Sequence, residues 1–161
     1  MKSFPLLLIA FLVTPSHAAD LVGSVVPPYP AGLDSRQGRC VPGGEGYEHV
    51  CDYGIGILED AGGKKLMLLG QKSVPGPENP QRWLITDAVA YPAMAEDQYL
   101  AIGVCEIDGA PDEAVIAVAG VVDAEFSDRI VQARRLDRAT GKFIELPPAG
   151  IRCLNEDRDA D

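Results

Sequence analysis

Short apolar blocks alternate with clusters of Gly, Pro and Asp along most of the chain, from Tyr47 to Leu154. Blocks of this length, rich in Val, Ile and aromatic residues and bounded by turn formers, predict β-strands. Asp52 to Leu58 and Leu66 to Val74 flank the stretch Glu59-Asp60-Ala61-Gly62-Gly63-Lys64-Lys65. The paired glycines supply the positive φ angles of a hairpin turn, so the two blocks read as one β-hairpin. Gly54 and Gly56 thin out its first strand and point to a bulge or a close backbone approach. Pro75, Pro77 and Pro80 then mark a loop.

Arg82 to Tyr91 resumes as a strand with Trp83 and Ile85 on one face, and Pro92 stops it. Met94 to Asp97 reads as a turn or a single helical turn. Tyr99 to Ile107 reads as one further strand carrying Cys105, followed by a turn over Asp108-Gly109-Ala110-Pro111-Asp112. Ala114 to Val122 is apolar throughout, and its β-branched content and shortness favour a buried strand. Residues 125–135 stay open: Phe126, Ile130 and Ala133 fall near helical spacing, while the run from Ile130 equally suits a strand. Arg138 to Lys142 is a second hairpin turn with Phe143 to Leu146 returning from it, and Gly150 to Leu154 brings Cys153 back to the body.

About seven short strands with at most one or two helices predict a mainly β domain. The expected arrangement is an antiparallel sheet, as a sandwich or half-barrel, with an α+β fold carrying one or two short helices as the alternative. This domain spans residues 43–154. Residues 19–42, with Pro27, Pro28, Pro30 and Pro42, read as an extended Pro/Gly-rich segment with little scope for ladder hydrogen bonds. Residues 155–161 read as an acidic, frayed tail.

The first eighteen residues follow a different pattern. Met1 and Lys2 give a positive start, Leu6 to Val13 an apolar run, and Ser16-His17-Ala18 a small-x-small ending. That is the layout of a secretory signal peptide over residues 1–18, and the run is shorter than the roughly 20 residues a membrane span needs. No later stretch approaches that length and no cysteine follows the leader to carry a lipid. The expectation is an exported protein, periplasmic or secreted, without membrane insertion.

Export places Cys40, Cys51, Cys105 and Cys153 in an oxidising compartment, where an even count reads as two disulfides. Three connectivities are open. The favoured one joins Cys40 to Cys51 around a glycine-rich loop and Cys105 to Cys153 across most of the C-terminal half. Zinc is the competing use of four cysteines, but no C-x-x-C pair is present.

Charge narrows the partners. Asp and Glu number 24 against 14 Lys and Arg, a net charge of −10, and loss of Lys2 with the leader makes the remainder one unit more negative. Such a chain is repelled by phosphate backbones, so nucleic acid is not an expected partner. A basic secreted or periplasmic protein is.

Chemical groups are sparse. His17 leaves with the leader, so a Ser–His–Asp or Cys–His system would depend on His49, which lies two residues from Cys51 and reads as a loop residue. The acids Glu59, Asp60, Glu96, Asp97, Asp108, Asp112 and Glu113 fall in predicted turns, where solvation accounts for them better than a catalytic pair does. Asp108, Asp112 and Glu113 lack the spacing of a known calcium loop. No phosphate-binding loop, dinucleotide fingerprint or nucleophile elbow occurs. No catalytic residue, metal or cofactor is therefore expected.

The aromatic inventory is Trp83 and Tyr91, with Tyr29, Tyr47, Tyr53 and Tyr99, and the candidate binding surface taken from it is aromatic and basic: Trp83 and Tyr91, with Arg134 and Arg135. Trp83 suits a β-domain core equally well. Arg129, Arg134, Arg135, Arg138 and Lys142 form the concentrated basic stretch, and pairing with neighbouring acids is its plainer reading.

Gly103-Val104-Cys105 with the Asp108-Gly109-x-Pro111 turn, Ala133-Arg134-Arg135-Leu136-Asp137, Thr140-Gly141-Lys142-Phe143 and Gly150-Ile151-Arg152-Cys153-Leu154-Asn155 together resemble small exported proteins of xanthomonad-type proteobacteria that carry no assigned activity. The resemblance covers roughly the C-terminal 60 residues. It implies a Cys105–Cys153 pairing and an extracytoplasmic role, and it transfers no catalytic residue. The expected function is non-catalytic protein binding, for example as an immunity-type protein or an inhibitor of a secreted toxin or cell-wall hydrolase. A carboxylate-dependent enzyme and a structural envelope protein are the alternatives.

Overall fold

A computed structural model describes residues 20–77 and 80–156; the proposed leader and the end of the acidic tail lie outside the described residues. Among the described residues the fold is mainly β, all strand pairing is antiparallel, one sheet curls as a half-barrel, and no helix reaches seven residues.

Numbered in chain order, the first sheet runs β1 (Val25–Val26), β5 (Trp83–Ala90), β4 (Lys65–Ser73), β3 (Tyr53–Asp60) and β2 (Leu33–Val41). The second runs β12 (Lys142–Leu146), β11 (Ile130–Asp137), β9 (Val115–Gly120) and β6 (Gln98–Ile102). The third runs β10 (Phe126–Ser127), β13 (Ile151–Leu154), β7 (Cys105–Ile107) and β8 (Ala110–Asp112).

Side-chain alternation stacks these sheets. On β6 and β9, Leu100, Ile102 and Ile116 face the first sheet and meet Ile55, Ile57 and Leu68 there. Tyr99, Ala101, Val115, Ala117 and Ala119 face the other way, onto Cys105, Ile151 and Cys153 of the third sheet. The alanines on that face leave room for the buried disulfide. The outer face of the first sheet carries Val26, Leu58, Met67, Leu69 and Ile85, covered by Leu21 from the N-terminal segment. Thr86 is an extra residue opposite the Gly70–Gln71 step, so Trp83 and Ile85 before it and Ala88 after it share one face.

The first and second sheets are joined along one side through β5 and β12. At β5 and β12 the Phe143 N–H donates to Asp87 Oδ2 at 2.8 Å. Close by, a Cβ added at Gly70 would sit 2.9 Å from Leu136 Cδ1, so the sheets touch there. On the far side β2 and β6 are both edge strands.

Both hairpins form where the turn chemistry places them. Asp60 Oδ1 accepts from the N–H groups of Gly62 and Lys64, and Gly63 takes φ 80°. Asp137 Oδ2 accepts from Thr140, and Gly141 takes φ 71°. Trp83 and Ile85 share a face as expected.

Several readings change, and one that stayed open is settled. Leu33–Val41, inside the segment expected to lack ladder bonds, is strand β2 paired along β3; its prolines all precede or follow it, and its exposed polar residues suit an edge. Tyr99–Ile107 is two strands in two sheets, broken where Gly103 takes φ 68°. The open stretch 125–135 is β10 and the start of β11. Asn155 is not frayed: it is buried, its N–H donates to Glu125 O at 2.8 Å, and its amide donates to Val122 O at 2.6 Å.

Candidate functional site

Cys40, next to last in β2, and Cys51, just before β3, lie with Cα atoms 4.7 Å apart, at disulfide distance. They close the loop 42–52 at its base. Inside it, the Gly43 N–H donates to His49 O at 2.9 Å and the His49 N–H to Gly46 O at 3.1 Å. His49 Nδ1 lies 2.8 Å from Asp52 Oδ2, and its Nε2 faces Glu48 at 3.9 Å. Asp52 O in turn accepts from the Ser73 N–H of β4 at 2.8 Å. His49 thus stands between two carboxylates of its own loop, and the Asp52 main chain ties that loop to the sheet.

The pinned loop presents apolar surface. Tyr47 is 97 % exposed and Val50 55 % exposed, and with Pro42, Gly44 and Gly46 they border a shallow hollow of about 330 Å³. Glu45 and Glu48 flank Tyr47 and are exposed. A lone exposed tyrosine is ordinary. One held on a cross-linked turn, beside a valine and two carboxylates, is already ordered, so a partner that covered it would meet little further conformational cost. From sequence Tyr47 stands only as one of the chain's five tyrosines, behind Trp83 and Tyr91. The signal was there in a single aromatic between glycines and acids, ten residues enclosed by two cysteines.

The four residues of the expected surface are not brought together. Trp83 packs on the outer face of the first sheet, where its ring covers Gly54: a Cβ there would meet the indole at 3.2 Å. This close approach, with the Gln71 side chain lying over Gly54 and Gly56, accounts for both glycines of β3. Beside it the Tyr29 hydroxyl is pushed up in pKa by burial, which its hydrogen bonds to Ser35 and Gln71 oppose. Tyr91 packs on the inner layer with Lys65 5.5 Å from its ring centre. Arg134 Nε donates to Glu145 Oε1 at 2.6 Å, and Arg135 faces Asp112 at 3.8 Å. Arg129 meets Asp97 at 3.2 Å, and Arg138 Nε donates to Pro42 O at 2.7 Å. The arginine-rich stretch pairs with acids and backbone.

Asp108 and Gly109 both take positive φ, 52° and 81°, and form the tight turn between β7 and β8; this turn is shorter than the one expected over Asp108 to Asp112, because Ala110–Asp112 pairs with β7 as strand β8. Asp112 is engaged by Arg135 and Arg138. Among the described residues no three His, Cys, Asp or Glu side chains converge to hold a metal.

A second concavity lies along the open side of the stacked sheets. It measures about 440 Å³ and runs between β2 and β6, with Ile57, Leu100 and Ile102 on its apolar floor. Arg39 spans one end, packed on Gly103 and 3.5 Å from Glu156.

No family model matches the chain, and neither the curated proteins nor the solved structures contain a match to it. Among the described residues no helix is long and apolar enough to cross a membrane.

Proposed function

We propose that this is an exported, non-catalytic protein that acts by binding a basic partner protein, in the manner of an inhibitor or immunity-type protein. The observation that carries this reading is the disulfide-closed loop with Tyr47 almost wholly in water between Glu45 and Glu48. A rigid aromatic anchor supplies contact energy at low entropic cost. The flanking carboxylates and the chain's net charge of −10 favour encounter with a positive surface. The pattern of residues 1–18 and two cysteine pairs at disulfide distance support export to the periplasm or medium.

Affinity capture from periplasmic extract and culture medium tests it, with the wild-type chain and Tyr47→Ala as paired baits at low and high salt. A basic partner held at low salt, weakened by salt and lost with Tyr47→Ala is the expected result. Equal recovery on both baits would remove the loop from the function.

A further inference from the structure

The seam between β2 and β6 is built unlike the Tyr47 loop. Two sheet edges face one groove, and an edge strand leaves every second residue's N–H and C=O without a ladder partner. Residues 36–40 of β2 are exposed one after another along this edge. The floor is the rim of the core between the first two sheets, so Ile57, Leu100 and Ile102 offer apolar contact directly beside an unpaired backbone. On the opposite side of this core β12 is fastened to β5 through Asp87 and Phe143.

The polar groups of the seam add a charge preference. Lys65 stands over the Tyr91 ring on one wall, and Arg39 crosses the end of the groove. Glu156 already sets one carboxylate on Arg39, through an exposed contact of 3.5 Å. An exposed pair of that length contributes little, so another carboxylate can take its place at small cost.

We propose that the seam takes an extended segment of a partner polypeptide, apolar at alternate positions and carrying a carboxylate. It adds as a strand to the free edge of β2. Its backbone completes the β2 ladder, its apolar side chains cover Ile57, Leu100 and Ile102, and its carboxylate meets Lys65 and Arg39. Strand addition of this kind draws affinity from main-chain hydrogen bonds and specificity from every second side chain. The surface is separate from the Tyr47 loop and stands whether or not that loop binds.

The test uses the whole chain with its disulfides intact and a synthetic acetylated peptide of nine residues, alternating threonine and valine with a central glutamate. Amide hydrogen exchange and NMR shifts are followed along β2. The expected result is added protection confined to residues 36–40 and the facing seam, unchanged in Tyr47→Ala. Two further peptides carry N-methyl groups on one or the other alternate set of amides. The set that faces β2 should lose at least tenfold in affinity, because it can no longer donate to the ladder. Lys65→Ala should weaken the parent peptide about two- to fivefold. No added protection at 36–40 with millimolar peptide would overturn the proposal. So would equal binding of both N-methylated peptides, or self-association of the protein through this edge.

Discussion

The Tyr99 hydroxyl donates to the main-chain carbonyl of Cys153 at 3.3 Å, fastening an edge strand of the second sheet to the disulfide-bearing strand of the third. Cys153 lies directly opposite Cys105 in the β7–β13 ladder, with Cα atoms 4.0 Å apart and both residues buried. This bridge closes a separation of 48 residues, whereas Cys40–Cys51 closes 11. Chain-entropy arithmetic then gives about 4 kcal/mol for the first and about 3 kcal/mol for the second. The paired change Cys105→Ala with Cys153→Ala should therefore lower stability more than Cys40→Ala with Cys51→Ala. Urea unfolding of the two double variants measures this, and the reverse order would show that the third sheet does not depend on its bridge.

Gly103 ends β6 and lets the chain cross into the third sheet. Its φ of 68° disfavours any side chain, and an added Cβ would lie 3.0 Å from the Glu113 carbonyl oxygen. Gly109 has a similar φ of 81° but open space around it. Gly109→Ala should cost about 1 kcal/mol, the left-handed penalty alone. Gly103→Ala should cost more, because the backbone must also shift. Thermal unfolding of the two variants side by side decides it; equal losses would mean the carbonyl moves aside freely.

How much of this was legible in the sequence follows from the range of the forces involved. The turns at Gly62-Gly63 and at Thr140-Gly141 are local chemistry, so both hairpins could be read directly. Cysteine spacing likewise favoured the two pairs that form. Strand β2 escaped because an exposed edge such as Arg36-Gln37-Gly38 shows no apolar alternation, and prolines surround it. The break at Gly103 escaped because an apolar run reads the same whether or not it changes sheet. Tyr47 was one tyrosine among several until its exposure was known. The seam between β2 and β6 is a property of topology alone and leaves no mark in any single segment.

Asp87 holds the closed side of the stacked sheets. Its Oδ2 accepts from the Phe143 N–H at 2.8 Å and its Oδ1 from the Ala88 N–H at 3.0 Å. Removing a charged acceptor and leaving a partly buried N–H unpaired costs about 2 kcal/mol. Asp87→Ala should lose that much, and Asp87→Asn, which keeps one acceptor oxygen, should lose less. Exchange of the Phe143 amide should rise in both. An Asp87→Ala chain as stable as the wild type would show that side-chain packing at Gly70 and Leu136 suffices to join the sheets.

The β11–β12 turn should respond to acid. The Thr140 hydroxyl donates to Asp137 Oδ2 at 2.6 Å and holds the Asp137 carboxyl below the usual carboxylate range. A carboxyl whose folded pKa is depressed adds stability above its unfolded pKa. That stability is lost as pH falls below about 4 and through the folded value. Asp137→Asn should thus be less stable than wild type at neutral pH, and the gap should close in acid. Unfolding midpoints across that range give the answer; a gap that stays constant with pH would assign the loss to something other than the carboxylate.

The last prediction separates the two parts of the Tyr47 loop by kinetics. Glu45 and Glu48 are exposed beside an exposed ring, so on the proposed function they act on encounter, at long range and through salt-screened attraction. On the same proposal Tyr47 acts only after contact, by burying its ring against the partner. With a captured basic partner immobilised, Glu45→Gln with Glu48→Gln should lower the association rate several-fold at low salt and lose that effect at high salt. Tyr47→Ala should instead raise the dissociation rate about tenfold or more, at either salt concentration. Because the ring touches little of its own fold at 97 % exposure, this variant should keep the wild-type unfolding midpoint. If the glutamine variant changed dissociation and the alanine variant changed association, charge would be the anchor and the ring a bystander, and the loop would bind by electrostatics alone.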